Sequence, residues 1–266
     1  MFLVDSHCHL DRLDLTPHGG DLDAALQAAR DNGVEHFLCV CIGMANFPEV
    51  LRIAKAHPDV SASVGVHPNE HEDTEPDVER LVALADDPQV VAIGETGLDY
   101  FRSEGDLEWQ RDRFRVHIAA ARRTGKPLII HMREATEDTL RILREEGAET
   151  VGGVMHCFVE DWNTARAALD LNFQISFSGI VTFNSAKALQ EVARKLPAEH
   201  MLVETDSPYL APVPKRGKPN EPANVRHVAE FIAALRGESL EQIAETTTAN
   251  YFRLFGGSET PQSQIA

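Results

Sequence analysis

Positive charge is scarce in this sequence: 25 Lys and Arg stand against 42 Asp and Glu, a net charge of −17 over 266 residues. A protein whose affinity came mainly from nucleic-acid backbones would usually carry a basic footprint, which this chain lacks. A phosphate-bearing ligand would need bound cations, or a few local Arg and Lys, to overcome the field. Cysteine is also sparse. The four, at positions 8, 39, 41 and 157, match no disulfide framework for a chain this long. The pair in FLCVCIG is spaced too tightly for a redox or zinc-ribbon motif, and all four read as reduced packing residues. No stretch reaches the ~18 apolar residues of a membrane span, and the N-terminus lacks the basic-then-apolar pattern of a leader. A soluble cytoplasmic protein with no membrane partner is expected.

What is present is core material and rhythm. Hydrophobic residues make up 43% of the chain, which excludes the disordered class. Short β-rich runs alternate with amphipathic helices. The strand candidates span 2–9, 36–43, 60–67, 90–96, 127–133, 152–158, 173–179 and 201–206. Most are apolar on both faces, as parallel strands covered by helices should be. The helical segment QRDRFRVHIAAARRTGKP closes with Gly125 and Pro127, a helix stop followed by a strand start. Eight strands, each followed by a helix, predict an α/β fold of the (β/α)8 TIM-barrel class. An open doubly wound sheet would show a Gly-rich phosphate turn after the first strand, and HCHLDRLD has none. No linker or repeat divides the chain. One domain is expected over 1–255, with a flexible tail at 256–266.

The chemistry-bearing residues fall at strand ends. His7 and His9 end the first candidate strand, Glu95 the fourth, His131 the fifth, His156 the sixth and Asp206 the eighth. In a barrel these ends share the face where active sites are built. Strand alternation places His7 and His9 on one face and Cys8 on the other. By the same parity Asp5 shares the face of His7 and is expected to receive a ring N–H from it. Glu204 lies one rung below Asp206 as a supporting carboxylate, and Arg133 lies on the face of His131. His67 ends the third strand and reads as a substrate contact. His18, His36, His57, His71, His117, His200 and His227 fall in helices, loops or strand starts and read as solvated. Four imidazoles and two carboxylates exceed one tetrahedral ion and divide into two neighbouring sites. Such an imidazole-rich set suits Zn, Mn, Fe, Co or Ni better than Mg.

The segments FLVDSHCHLD, GVHP, GETGLDY, KPLIIHMREATED, HCF and LVETDSPYLAP, taken together, resemble the TatD family of metal-dependent deoxyribonucleases, to about Phe255. ISFSGIVTF and ETDSPYLAPVPKRGKPNEP resemble its YcfH-like branch. The resemblance implies a barrel related to the amidohydrolases and a site with two divalent ions per chain (Mg2+, Mn2+ or Zn2+). His7, His9 and Asp206 would bind one ion, His131 and His156 the other, and Glu95 both. Members are described as Mg2+-dependent exonucleases acting from the 3′ end. Met132 stands where the family commonly has Ser or Thr, and Glu134 where Asp is frequent; neither touches the ligand set.

The expected reaction is hydrolysis of DNA phosphodiesters by a metal-bridging hydroxide, with Asp206 taking its proton. His67 and Arg133 would contact the phosphate. Lys215, Arg216 and Lys218, in the loop PVPKRGKPNEP after the last strand, would guide the backbone of a DNA end or short oligonucleotide. A monomer without an obligate protein partner is expected. Two alternatives stay open. The same hydroxide chemistry suits an amidohydrolase-like deacylase or lactonase, or a small-phosphoester hydrolase. The other is a metal-dependent scaffold without turnover.

Overall fold

The computed structural model describes residues 2–71 and 75–256; the expected flexible tail lies, beyond residue 256, outside the described residues. Eight strands appear: β1 (Leu3–Cys8), β2 (Val34–Cys39), β3 (Val60–Val64), β4 (Val90–Asp99), β5 (Leu128–Arg133), β6 (Gly153–Met155), β7 (Phe173–Phe177) and β8 (Met201–Val203). They form one sheet in the order β1 to β8. The ladders β3 to β7 are parallel. Between and after them run α1 (Leu22–Asp31), α2 (Phe47–Ala56), α3 (Val78–Ala85), α4 (Glu108–Thr124), α5 (Thr136–Glu145), α6 (Trp162–Leu169), α7 (Lys187–Lys195), α8 (Val225–Arg236) and α9 (Leu240–Phe255). This is the (β/α)8 barrel class.

The polypeptide divides into two compact units, and the division cuts within β2 and β7. The first comprises Met1–Leu38, Val159–Trp162 and Ser176–Ala266. Here β1 is fully buried, and α8 and α9 pack on β1 and β8. The sheet closes in this unit. Cys8 and Ser207 form a parallel bridge, the Asp206 N–H donates to the His7 carbonyl at 2.9 Å, and the His9 N–H donates to the Ser207 carbonyl at 2.8 Å. Ser239 and Gln242 form a reciprocal capping box that starts α9.

The second unit comprises Cys39–Phe158 and Asn163–Ile175. In it α3 and α4 lie against β4, and Phe114, Ile118 and Ala121 of α4 are buried. As expected, α4 stops at Gly125, whose φ of +69° terminates the helix in the left-handed conformation. One strand departs from expectation: Glu95 does not end β4, which runs on to Asp99. Against β5 the register steps from Ile93↔Leu128 to Thr96↔Ile130, so β4 spends one extra residue there. Such an irregularity re-aims the side chain beside it, and Glu95 is that residue. Beyond it Gly97 pairs with His131. A Cβ on Gly97 would lie 2.0 Å from the His131 carbonyl oxygen, so only glycine lets the strands approach this closely.

His117 corrects the expectation of a solvated ring, because it is fully buried on α4. Its Nε2 accepts the Val66 N–H at 2.9 Å, and its Nδ1 lies 2.8 Å from the Arg113 carbonyl. A carbonyl only accepts, so Nδ1 carries the hydrogen and the ring is neutral. Burial pushes its pKa down to about 4 from the usual 6.5. The unfolded chain therefore takes up a proton between these pH values while the folded chain does not. The stability contribution is full above pH 6.5 and falls as pH drops towards 4, by about 3 kcal/mol at ~1.4 kcal/mol per pH unit. Denaturant titrations of wild type and His117→Gln between pH 7 and 4 should show wild type losing about that much relative to the variant.

Candidate metal centre

The first ligand set belongs to the unit that contains β1 and β8. Alternation along β1 puts His7 and His9 on one face, with ring centroids 5.0 Å apart. Cys8, facing the other way, donates its thiol to the Leu38 carbonyl. The Asp206 backbone is left-handed, with φ +55°. That conformation is uncommon but tolerated by Asp, and it follows the short β8. Its Oδ1 lies 3.4 Å from His9 Nε2 and 3.8 Å from His7 Nε2. The exposed Tyr209 packs edge-on to His9.

The Asp5 carboxyl does not take a His7 ring N–H as expected. It accepts the Thr205 amide at 2.8 Å, the Thr205 hydroxyl at 2.5 Å and the His7 backbone N–H at 3.4 Å. Its work is to hold the turn that bears Asp206 against β1. Burial, with a smaller push from the buried Glu204, raises its pKa to about 8. Glu204 is thus close enough to Asp5 for its charge to be felt there.

The second set lies in the other unit and centres on one oxygen. Glu95 Oε1 is 2.9 Å from His156 Nε2, 3.2 Å from His131 Nδ1 and 3.5 Å from His67 Nε2. Main-chain bonds fix two of these residues: the Glu95 N–H donates to the Cys41 carbonyl and the His156 N–H to the Ile130 carbonyl. Burial penalises the Glu95 carboxylate, yet His156, His67 and His131 outweigh it and hold its pKa well below the usual range. Ligand atoms of His67, Glu95 and His131 all lie within 4.8 Å of one another, a spacing that could hold an ion. His67, expected only as a substrate contact, is therefore also a metal-capable donor.

Sequence reasoning missed Asp99. Its Oδ2 lies 3.1 Å from His131 Nε2, and it also accepts from Asn69 and from the backbone N–H groups of Phe101 and Arg102. Burial works against ionisation here, but His131 and these donors keep the carboxyl below its usual range. A carboxylate on Nε2 fixes the tautomer that leaves Nδ1, the nitrogen facing Glu95, as the ring atom able to bind a metal. Burial would lower the His131 pKa, but Asp99 and Glu95 together raise it. The signal was in GETGLDY, where Asp99 shares the strand of Glu95.

The donors fit divalent cations. Imidazoles converging on a buried carboxylate are a ligand set for Zn, Mn, Fe, Co or Ni. The outlying cations divide. Arg133 lays its guanidinium over the Phe101 ring at 3.9 Å. Arg216 covers Phe183 at 4.1 Å. Lys215 is half-buried, Arg216 and Lys218 are exposed, and no carboxylate among the described residues pairs with them. No disulfide joins any of the four cysteines. Among the described residues no helix is long and apolar enough to cross a membrane.

Fold and donor set together define a metal-dependent hydrolase built on a (β/α)8 barrel. Residues 4–256 match the model of the TatD related DNase family, and the chain belongs to that family, close to its YcfH-like branch. It is 49% identical over 255 residues to the uncharacterized metal-dependent hydrolase YcfH of Escherichia coli strain K12, covering 96% of each chain. It is 33% identical to the 3′-5′ ssDNA/RNA exonuclease TatD of Klebsiella pneumoniae, covering 89% of this chain and 92% of that one. The crystal structure of the TatD homolog YJJV from Escherichia coli K12 superposes with a TM-score of 0.87 at 30% identity, covering 96% and 98% of the two chains.

Replacing Asp99 with Asn should weaken metal binding about 10- to 100-fold by freeing the His131 ring. Competition against a chelator of known affinity measures this directly.

Proposed function

We propose that the chain hydrolyses phosphodiester bonds at the ends of DNA strands, removing nucleotides from the 3′ end. The observation that carries this reading is the meeting of three imidazoles on the buried Glu95 Oε1, in a member of a family that includes a 3′-5′ ssDNA/RNA exonuclease. In this reading His7, His9 and Asp206 would hold one divalent ion, His131 and His156 would hold the other, and Glu95 would be a ligand to both. Such ions supply Lewis acidity and lower the pKa of water towards neutrality.

The chain's own residues do the rest. Asp206 takes the proton of the attacking water at its carboxylate. His67 faces the phosphate and assists the leaving oxygen, and Arg133 adds positive charge on the same side. Lys215, Arg216 and Lys218 lead the strand end in. Asp5 and Glu204 keep the Asp206 turn in place. Because the cations are so few, the substrate is gripped over one or two phosphates near its end.

Wild type should hydrolyse a 3′-recessed DNA oligonucleotide. Asp206→Asn should lower kcat by about 10²- to 10⁴-fold, the usual share of a general base, and Glu95→Ala by at least as much. Unchanged hydrolysis in both variants, or turnover of N-acyl amino acids in preference to DNA, contradicts the reading.

Oligonucleotide binding should also fall only gently with salt. Each single-strand phosphate neutralised adds about −0.7 to the log–log slope, so a slope near −1 is expected by fluorescence anisotropy. A slope steeper than about −4 contradicts an end-gripping mode.

A further inference from the structure

Phe101 is the large apolar side chain most exposed among the described residues, at 55%. A lone exposed aromatic is ordinary on a protein surface; this one is held in place through Asp99, beside the candidate metal ligands. Its backbone N–H donates to Asp99 Oδ1 at 3.0 Å, and the next N–H, of Arg102, donates to the same oxygen at 2.9 Å. The other Asp99 oxygen lies 3.1 Å from His131 Nε2. One carboxylate thus ties the ring's backbone to a candidate metal ligand. A second tie comes from β5, where Arg133 follows His131 by two residues and shares its face. Its guanidinium sits 3.9 Å from the Phe101 ring centroid. No carboxylate among the described residues forms an ion pair with Arg133 or with the exposed Arg102. The result is a fixed aromatic surface flanked by two guanidinium groups that form no ion pair among the described residues.

We propose that Phe101, backed by Arg133, is the platform on which the base of the terminal nucleotide stacks while its phosphate is presented to the metal centre. The inference rests on the nucleic-acid reading above and assigns Phe101 as a substrate-binding residue. Base–aromatic stacking is sequence-tolerant because every base has a π-face, and neighbouring Arg adds a cation–π contribution. Here the strand end is recognised by its base as well as by its charge. The backing guanidinium leaves Arg133 able to face the phosphate with its remaining N–H groups.

The test uses a short single-stranded oligonucleotide with 2-aminopurine as its terminal base and a phosphorothioate in the terminal linkage to slow cleavage. Stacking quenches 2-aminopurine fluorescence. Metal-loaded wild type should quench it, and Phe101→Ala should abolish the quench and weaken binding about 5- to 100-fold, the range of one stacked base. Phe101→Trp should restore binding, and Phe101→Leu, which keeps apolar bulk without the π-face, should not. An oligonucleotide ending in an abasic unit should bind wild type and Phe101→Ala alike. Equal quenching by wild type and Phe101→Ala overturns the platform, as does equally tight binding of abasic and base-bearing ends by wild type. If wild type hydrolyses no oligonucleotide, the reaction reading falls, while the binding comparison still decides the platform.

Discussion

A buried carboxylate oxygen with three imidazoles turned towards it is the constraint on which the rest of this structure depends. A charged Glu inside a protein is costly unless compensated, and Glu95 is compensated by His156, His131 and His67 at 2.9 to 3.5 Å. Each of these rings arrives from a different strand end. The extra residue in β4 turns Glu95 towards them, and Gly97 lets β4 and β5 approach so closely that His131 comes within reach. Asp99 then secures His131 from the other side. Local irregularities that would weaken an ordinary strand are what aim this one.

The same logic operates where the sheet closes. Asp5 binds the Thr205 amide and hydroxyl, and the main chain pairs His7 with Asp206 and His9 with Ser207. These bonds register two histidines with an aspartate some 200 residues away in sequence. Neither ligand set is carried by flexible loops alone. Preorganised donors of this kind act without reorganising when charge develops on a substrate, which is why a fold this common can carry demanding hydrolytic chemistry.

Much of this was legible in the residues. All eight strands lie where apolar runs alternate with helical segments, because parallel strands buried on both faces leave long uninterrupted apolar patterns. The donors stood out because imidazoles and carboxylates interrupt those runs at their ends. Other features were not legible, for identifiable reasons. The reach of β4 to Asp99 depends on pairing with β5, which composition does not encode. The partner of Asp5 is Thr205, 200 residues away in sequence, and parity alone favoured the nearer His7. His117 looked solvated because α4 carries charge on most faces, while its burial depends on Val66 docking against it. Arg133 was read as sharing the face of His131, and its contact with Phe101, which crosses from β5 to the loop after β4, was not foreseen.

The central claim is that Glu95 serves a pair of ions rather than compensating nearby histidines in a structural salt-bridge network. Metal analysis of purified protein by inductively coupled plasma mass spectrometry, with wild type and Glu95→Gln prepared identically and saturated with Mn2+ or Zn2+ before desalting, tests it most directly. The account predicts two divalent ions per wild-type chain and no more than one in the variant, with the variant still folded by circular dichroism. Equal metal content in the two proteins, or none in either, would contradict it.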